Sequence, residues 1–141
     1  MDNAPLAALL RLSKTHAAAT RELDASLGSH HGLSFAELRL LGTLAEAPVA
    51  GLRPTDLAAA LELTASGVTR AVLPLEKIGI VRRESDPGDA RASRVVLTNA
   101  GRSLVANARV TAAEGAARLM RRLSLGQTRQ LERLLGEIPG R

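Results

Sequence analysis

Residues 82–98 read RRESDPGDARASRVVLT. Arginines stand at positions 82, 83, 91 and 94, yet the centre, Asp86-Pro87-Gly88-Asp89, is acidic and turn-forming. Proline presets φ, glycine tolerates positive φ, and an aspartate can accept from the backbone two residues on, so this centre is a tight turn. On either side IVRRE (80–84) and SRVVL (93–97) are short and rich in β-branched residues. The stretch is a β-hairpin with cations around its tip. Its use depends on the elements before it.

Working backwards, Gly79 closes a helix over about 65–78, with Thr64 as its N-cap. Its spacing buries Val68, Ala71, Val72, Leu75 and Ile78, and leaves Ser66, Gly67, Thr69, Arg70 and Leu73 facing out. Pro74 lacks the N–H that would bond the Arg70 carbonyl, so a kink or local widening is expected there. Pro54 and Asp56 open a shorter helix to about Leu61, and the link ELT (62–64) joins the two as a helix-turn-helix. A helix-turn-helix followed directly by a β-hairpin is a winged helix.

Outward from this centre the chain is helical. A first helix is expected over about 5–27, with Asn3 as its cap and Gly28 as its stop. A second runs to about Glu46, opened by the Ser34/Glu37 capping-box pattern. Thr98 caps a long helix to about Leu123, and Ser124 with Gln127 forms the box of a last helix to about Ile138. Leu6, Leu10, Leu23 and Leu27 form one apolar stripe, and Leu104, Val105, Leu119 and Leu123 lie on another. Such helices are held by packing those faces. One chain offers little to cover them, so the two ends are expected to form a homodimerisation lobe. The fold class is mostly α with a small β-wing. Residues 1–141 form one domain, with a winged helix at about 34–97 and the lobe at about 4–28 and 99–139.

Composition narrows the function. The 141 residues include 45% hydrophobic and 23% charged side chains, the balance of an ordinary globular protein. No run approaches the roughly 18 apolar residues of a membrane span, and the N-terminus has no basic flank, so a cytoplasmic location is expected. The absence of cysteine excludes thiol redox chemistry. Phe35 is the only aromatic residue, which disfavours binding of single strands by base stacking. Net charge is +5, concentrated after residue 97, and permits a polyanionic partner. His30 and His31 are adjacent and poorly placed to share a metal, no phosphate loop or catalytic grouping is present, and neither cofactor nor enzymatic activity is expected.

Three stretches carry a family resemblance: PTDLAAALELTASGVTRAV (54–72), LEKIGIVRRE (75–84) and DPGDARASRVVLTNAG (86–101). The last contains D-x-x-D-x-R followed by L-T-x-x-G, here Asp86, Asp89, Arg91, Leu97, Thr98 and Gly101. The chain resembles the MarR (multiple antibiotic resistance regulator) family of transcription factors over nearly its whole length. The resemblance implies a homodimeric, ligand-responsive repressor on a pseudo-palindromic operator in double-stranded DNA. The fourth helix would enter the major groove and the wing arginine the minor groove. The expected DNA-binding set is Ser66, Gly67, Thr69, Arg70, Leu73, Asp89, Arg91 and Arg94, with Asp89 holding the Arg91 guanidinium in place. An effector site at the junction of the first, second and fifth helices would take a small anionic, partly aromatic compound, with His16, His30, Phe35, Arg39 and Arg102 as candidate contacts. The competing reading is a winged-helix protein-interaction module without specific DNA binding.

Overall fold

The structure is a computed structural model and describes residues 2–139. Its elements are α1 (Ala4–His31), α2 (Phe35–Glu46), α3 (Pro54–Leu61), α4 (Ala65–Lys77), β1 (Val81–Asp86), β2 (Asp89–Leu97), α5 (Asn99–Leu119) and α6 (Leu125–Glu137). They divide into two compact units. One comprises Phe35–Val110, and the other is built from the chain before Phe35 and after Val110. The division falls within α5, twelve residues past the boundary at about 98 expected from the hairpin.

The central unit is the winged helix. Its three short helices, of 12, 8 and 13 residues, could not persist alone in water. They are held by a shared core: Leu38, Leu41 and Leu44 of α2, Leu57 and Leu61 of α3, and Val68, Val72 and Leu75 of α4 are all buried. Each such side chain contributes about 1.5–3 kcal/mol by leaving water, enough collectively to offset the ordering of short helices. The hairpin adds Val81, Val95, Val96 and Leu97, and the start of α5 adds Val105 and Ala108. Two members of the expected stripe differ: Ala71 is half-buried, and Ile78 is 69% exposed, because α4 ends at Lys77 and Ile78 has left the helical register. Pro74 does not end α4, which continues three residues beyond it.

The L-T-x-x-G segment has a structural cause. Thr98 Oγ1 lies 2.7 Å from the Gly79 carbonyl and 2.9 Å from the Ile80 carbonyl, sharing its proton between them. It also accepts the Gly101 N–H at 3.1 Å, capping α5. A Cβ at Gly101 would lie 2.3 Å from the Ile80 carbonyl oxygen, so only glycine lets α5 start this close to the strand. At the other edge of the hairpin, Leu52 and Val95 exchange backbone hydrogen bonds of 3.1 and 2.8 Å. Gly51 precedes this bridge at φ +80°, where a Cβ would lie 2.1 Å from the Val95 carbonyl oxygen.

In the terminal unit α1 runs through Gly28 and stops at Gly32, which adopts the left-handed conformation and bonds the carbonyls of Leu27 and Gly28. The expected stop at Gly28 is thus corrected by one turn. A mid-helix glycine costs only about 1 kcal/mol, and the positive-φ position that ends the helix comes four residues later. Asn3 makes no side-chain cap; the Asp2 carboxylate accepts the Ala4 N–H instead, at 2.9 Å. Helix α5 ends at Leu119, short of the expected Leu123, and the chain passes through turns to Ser124. There both hydrogen bonds of the Ser124–Gln127 capping box are made. His31 Nε2 lies 2.7 Å from Thr111 Oγ1, and Leu23 packs against Gly115, where a Cβ would be 2.8 Å from the leucine methyl. Leu23, Leu27 and Leu33 are buried, whereas Leu6, Leu9, Leu10, Leu125, Leu134 and Leu135 are exposed. An open cavity of about 660 Å3 lies between the N-terminal half of α1 and α6, lined by Leu9, Leu12, Met120, Leu131, Leu134 and Ile138 among others.

Gly51→Ala should lower the unfolding free energy by about 2–4 kcal/mol, from left-handed strain and the clash with Val95. Gly136→Ala, where nothing lies within 4 Å of the added methyl, should leave stability unchanged or raise it by up to about 1 kcal/mol. Urea denaturation of the two variants checks both signs.

Candidate nucleic-acid interface

The hairpin departs from regular pairing at its tip. Val81 to Ser85 pair in order with Leu97 to Ser93, but the next pair is Asp86 with Asp89. Ala90, Arg91 and Ala92 therefore have no counterpart on β1 and form an irregular bulge. A bulge re-aims the side chain it carries. It sets the exposed Arg91 out from the wing.

Asp86 explains how the hairpin tip beside the bulge is held. Its side chain is 3% exposed, and two donors and one further cation converge on it. Arg53 Nε donates to Oδ2 at 2.6 Å, the Gly88 amide donates to Oδ1 at 2.8 Å, and Arg94 Nε stands 3.2 Å from Oδ2. Arg53 is the N-cap residue of α3, so one carboxylate ties the wing to the start of the helix-turn-helix. The hydrogen bond from Arg53, followed by that from Gly88, holds the Asp86 carboxyl below its ordinary value of 3.8, although burial acts in the opposite direction. The same bond raises the Arg53 pKa. Burying a carboxylate without such partners would be prohibitive.

The arginines of the hairpin then separate by role. Arg82 pairs with Glu84 at 2.7 Å, and Arg83 reaches Glu76 of α4 at 2.9 Å. Arg94 is occupied by Asp86 and by the Gly51 carbonyl, to which Nη1 donates at 3.1 Å. Arg94, named in the expected DNA-binding set, thus braces the hairpin tip against the loop at Gly51. The role expected of Asp89 is corrected. Its Oδ1 accepts the backbone N–H of Arg91 at 2.9 Å, so it shapes the chain at the bulge and leaves the guanidinium unheld. Among the described residues, neither Arg91 nor Arg70 has an ion pair or side-chain hydrogen bond.

On α4 the expected outward set is exposed, apart from the half-buried Gly67. Thr64 caps the helix by accepting the Gly67 N–H at 3.0 Å and lies 3.3 Å from Ser66 Oγ. A Cβ at 67 would stand 3.1 Å from Thr64 Oγ1, a tight contact that the capping hydroxyl would have to yield to. Arg70 projects from the middle of the helix beside Thr69 and Leu73. The Arg53–Asp86 clamp was missed in the sequence, since 33 residues separate its partners. Lys77, exposed in the last turn of α4, was missed as well, although it continues the outward spacing of Ser66, Arg70 and Leu73.

The candidate effector residues are not one cluster in either unit. In the terminal unit His16 is exposed, and His30 Nδ1 lies 2.9 Å from the Ser26 carbonyl and 3.1 Å from Ser29 Oγ. In the central unit Phe35 is half-buried and Arg102 is exposed on α5. Arg39 lines a shallow groove of about 300 Å3 with Leu38, Leu61 and Arg109. Among the described residues, no three His, Cys, Asp or Glu side chains stand close enough to hold a metal ion, and no helix is long and apolar enough to cross a membrane.

A helix-turn-helix with a free guanidinium on its second helix, followed by a braced and bulged hairpin, defines a winged helix-turn-helix protein. Residues 31–92 match the MarR family. The HTH-type transcriptional repressor Rv2887 of Mycobacterium tuberculosis is 31% identical over 137 residues, spanning 97% of this chain and 95% of that protein. Sco3205, a MarR family transcriptional regulator from Streptomyces coelicolor solved in complex with DNA, superposes with a TM-score of 0.85 at 27% identity, covering 96% of this chain and 88% of that one. A mutant MarR from E. coli complexed with operator DNA superposes with a TM-score of 0.83 at 25% identity, covering 96% and 94%. The chain belongs to the MarR family.

Asp86→Asn keeps an acceptor but removes the charge. A depressed carboxyl pKa stabilises the fold above the unfolded value and loses that contribution as pH falls through the folded one. Wild type should therefore be more stable than Asp86→Asn at neutral pH, with the gap closing as pH drops below 3.8. Urea midpoints at a series of pH values check this. A gap that stays constant would mean that folding does not lower the Asp86 carboxyl.

Proposed function

We propose that the protein is a homodimeric transcriptional repressor that binds duplex DNA, with α4 in the major groove and the Arg91 bulge against the minor groove or its phosphates. The observation that carries this reading is the distribution of arginines. Those at 53, 82, 83 and 94 are paired to carboxylates, while Arg70 and Arg91 extend unpaired from the two elements a winged helix presents. Ser66, Gly67, Thr69 and Leu73 complete the surface on α4, and Asp89 acts by holding the backbone at the bulge. The Streptomyces and E. coli relatives that share this fold were solved on DNA, which supports the same use here. The function is binding rather than catalysis, and it belongs in the cytoplasm, where chromosomal operators are.

The exposed leucines of α1 and α6 support the dimer. A solvent-facing apolar groove with Leu9 and Leu134 more than half exposed is costly for a monomer and natural between two copies. A two-fold dimer reads an inverted repeat with half-sites on the order of 34 Å apart.

Binding of a duplex selected from random sequence should weaken steeply with salt, as released counterions require. Arg91→Ala should cost about 1–3 kcal/mol of binding and reduce the salt slope by about one, with the urea midpoint unchanged. Light scattering should give twice the chain mass. Salt-independent binding, or no duplex binding at all, would favour the protein-interaction module.

A further inference from the structure

The outward face of α4 is charged or polar at its ends and in part apolar in its middle. Ser66, Arg70, Leu73 and Lys77 follow at i, i+4, i+7 and i+11, opposite the buried Val68, Val72 and Leu75. Thr69 beside them uses its hydroxyl proton on the Ala65 carbonyl, at 3.1 Å, and so presents a methyl group and an acceptor. Leu73 is 44% exposed, and the exposed Pro74 follows it. Proline has no N–H, and its ring lies toward the carbonyl of Arg70. Between Thr69 and Pro74 the surface is therefore apolar apart from one guanidinium. In the major groove, apolar side chains recognise the C5-methyl of thymine, and arginine recognises guanine through O6 and N7.

We infer that Leu73, backed by Pro74, reads a thymine methyl group in each half-site, next to a guanine read by Arg70. This rests on the duplex-DNA reading above. Three residues of helix rise about 4.5 Å, and bases in one strand about 3.4 Å, so the two contacts fall one or two base pairs apart. The half-site is a short G-with-T element. It is not a G-rich one, because only one guanidinium projects from the middle of the helix.

The test uses uracil, which differs from thymine only by the missing methyl. The duplex selected from a random pool by the wild-type protein is remade with each thymine singly replaced by uracil, and affinities are read by fluorescence anisotropy. One replacement per half-site, within two base pairs of the guanine whose loss Arg70→Ala tolerates, should weaken wild-type binding by about three- to tenfold, the range a single buried methyl group allows. The same replacement should leave Leu73→Ala unaffected, with its fold verified by circular dichroism. Leu73→Gln should shift the selected base at that position from T to A, since glutamine pairs with adenine. Specific binding indifferent to every uracil replacement, or an equal loss in Leu73→Ala, would overturn the inference and leave the DNA reading standing. Absence of salt-sensitive duplex binding overturns that reading, and the inference falls with it.

Discussion

A single buried carboxylate organises the wing. Asp86 lies where the hairpin turns, and its two oxygens accept from Arg53 and the Gly88 amide while Arg94 stands beside it as an ion pair. Each partner fixes something different. Gly88 fixes the turn, Arg94 the return strand, and Arg53 the start of α3. A hairpin of two strands is marginal alone. Clamped at Asp86 and bridged to Leu52 at its base, it becomes an extension of the helical core.

That clamp also decides which cations are available. An arginine paired to a carboxylate has its charge offset and its guanidinium turned toward that partner, whereas a free one can aim its whole fork at a phosphate or a base edge. The opening motif sets three carboxylates among four arginines because most of those arginines are structural. The same economy operates along α4, where Glu76 takes Arg83 and leaves Arg70 free. The terminal unit is different: its open groove is apolar, and a second copy covers it in the proposed dimer.

Much of this was legible from local chemistry. Thr64, Ser124 and Thr98 cap the helices the sequence assigned to them, because capping is decided within four residues. The turn at Asp86 follows from its own side chain bonding Gly88. What could not be read required distance in sequence or a choice between equivalent signals. Gly28 and Gly32 both look like helix stops, and only the chain path after His31 selects the second. Ile78 satisfies the helical period but lies one residue past the end of α4. Asp89 is the right distance from Arg91 to hold either its guanidinium or its amide, and the bulge favours the amide. The Arg53–Asp86 pair has no local signature at all. Nor does the role of Arg94, which depends on the position of Gly51.

In the proposed DNA complex Asp86 acts through the placement of Arg91. A double-mutant cycle on operator affinity addresses it most directly, with Asp86→Asn and Arg91→Ala made singly and together at neutral pH and fixed salt. If the clamp positions Arg91, then Asp86→Asn weakens binding in the wild-type background and has little further effect once Arg91 is gone, leaving a coupling energy of at least about 0.5 kcal/mol. Losses that simply add would contradict the account, placing Asp86 in the stability of the wing alone.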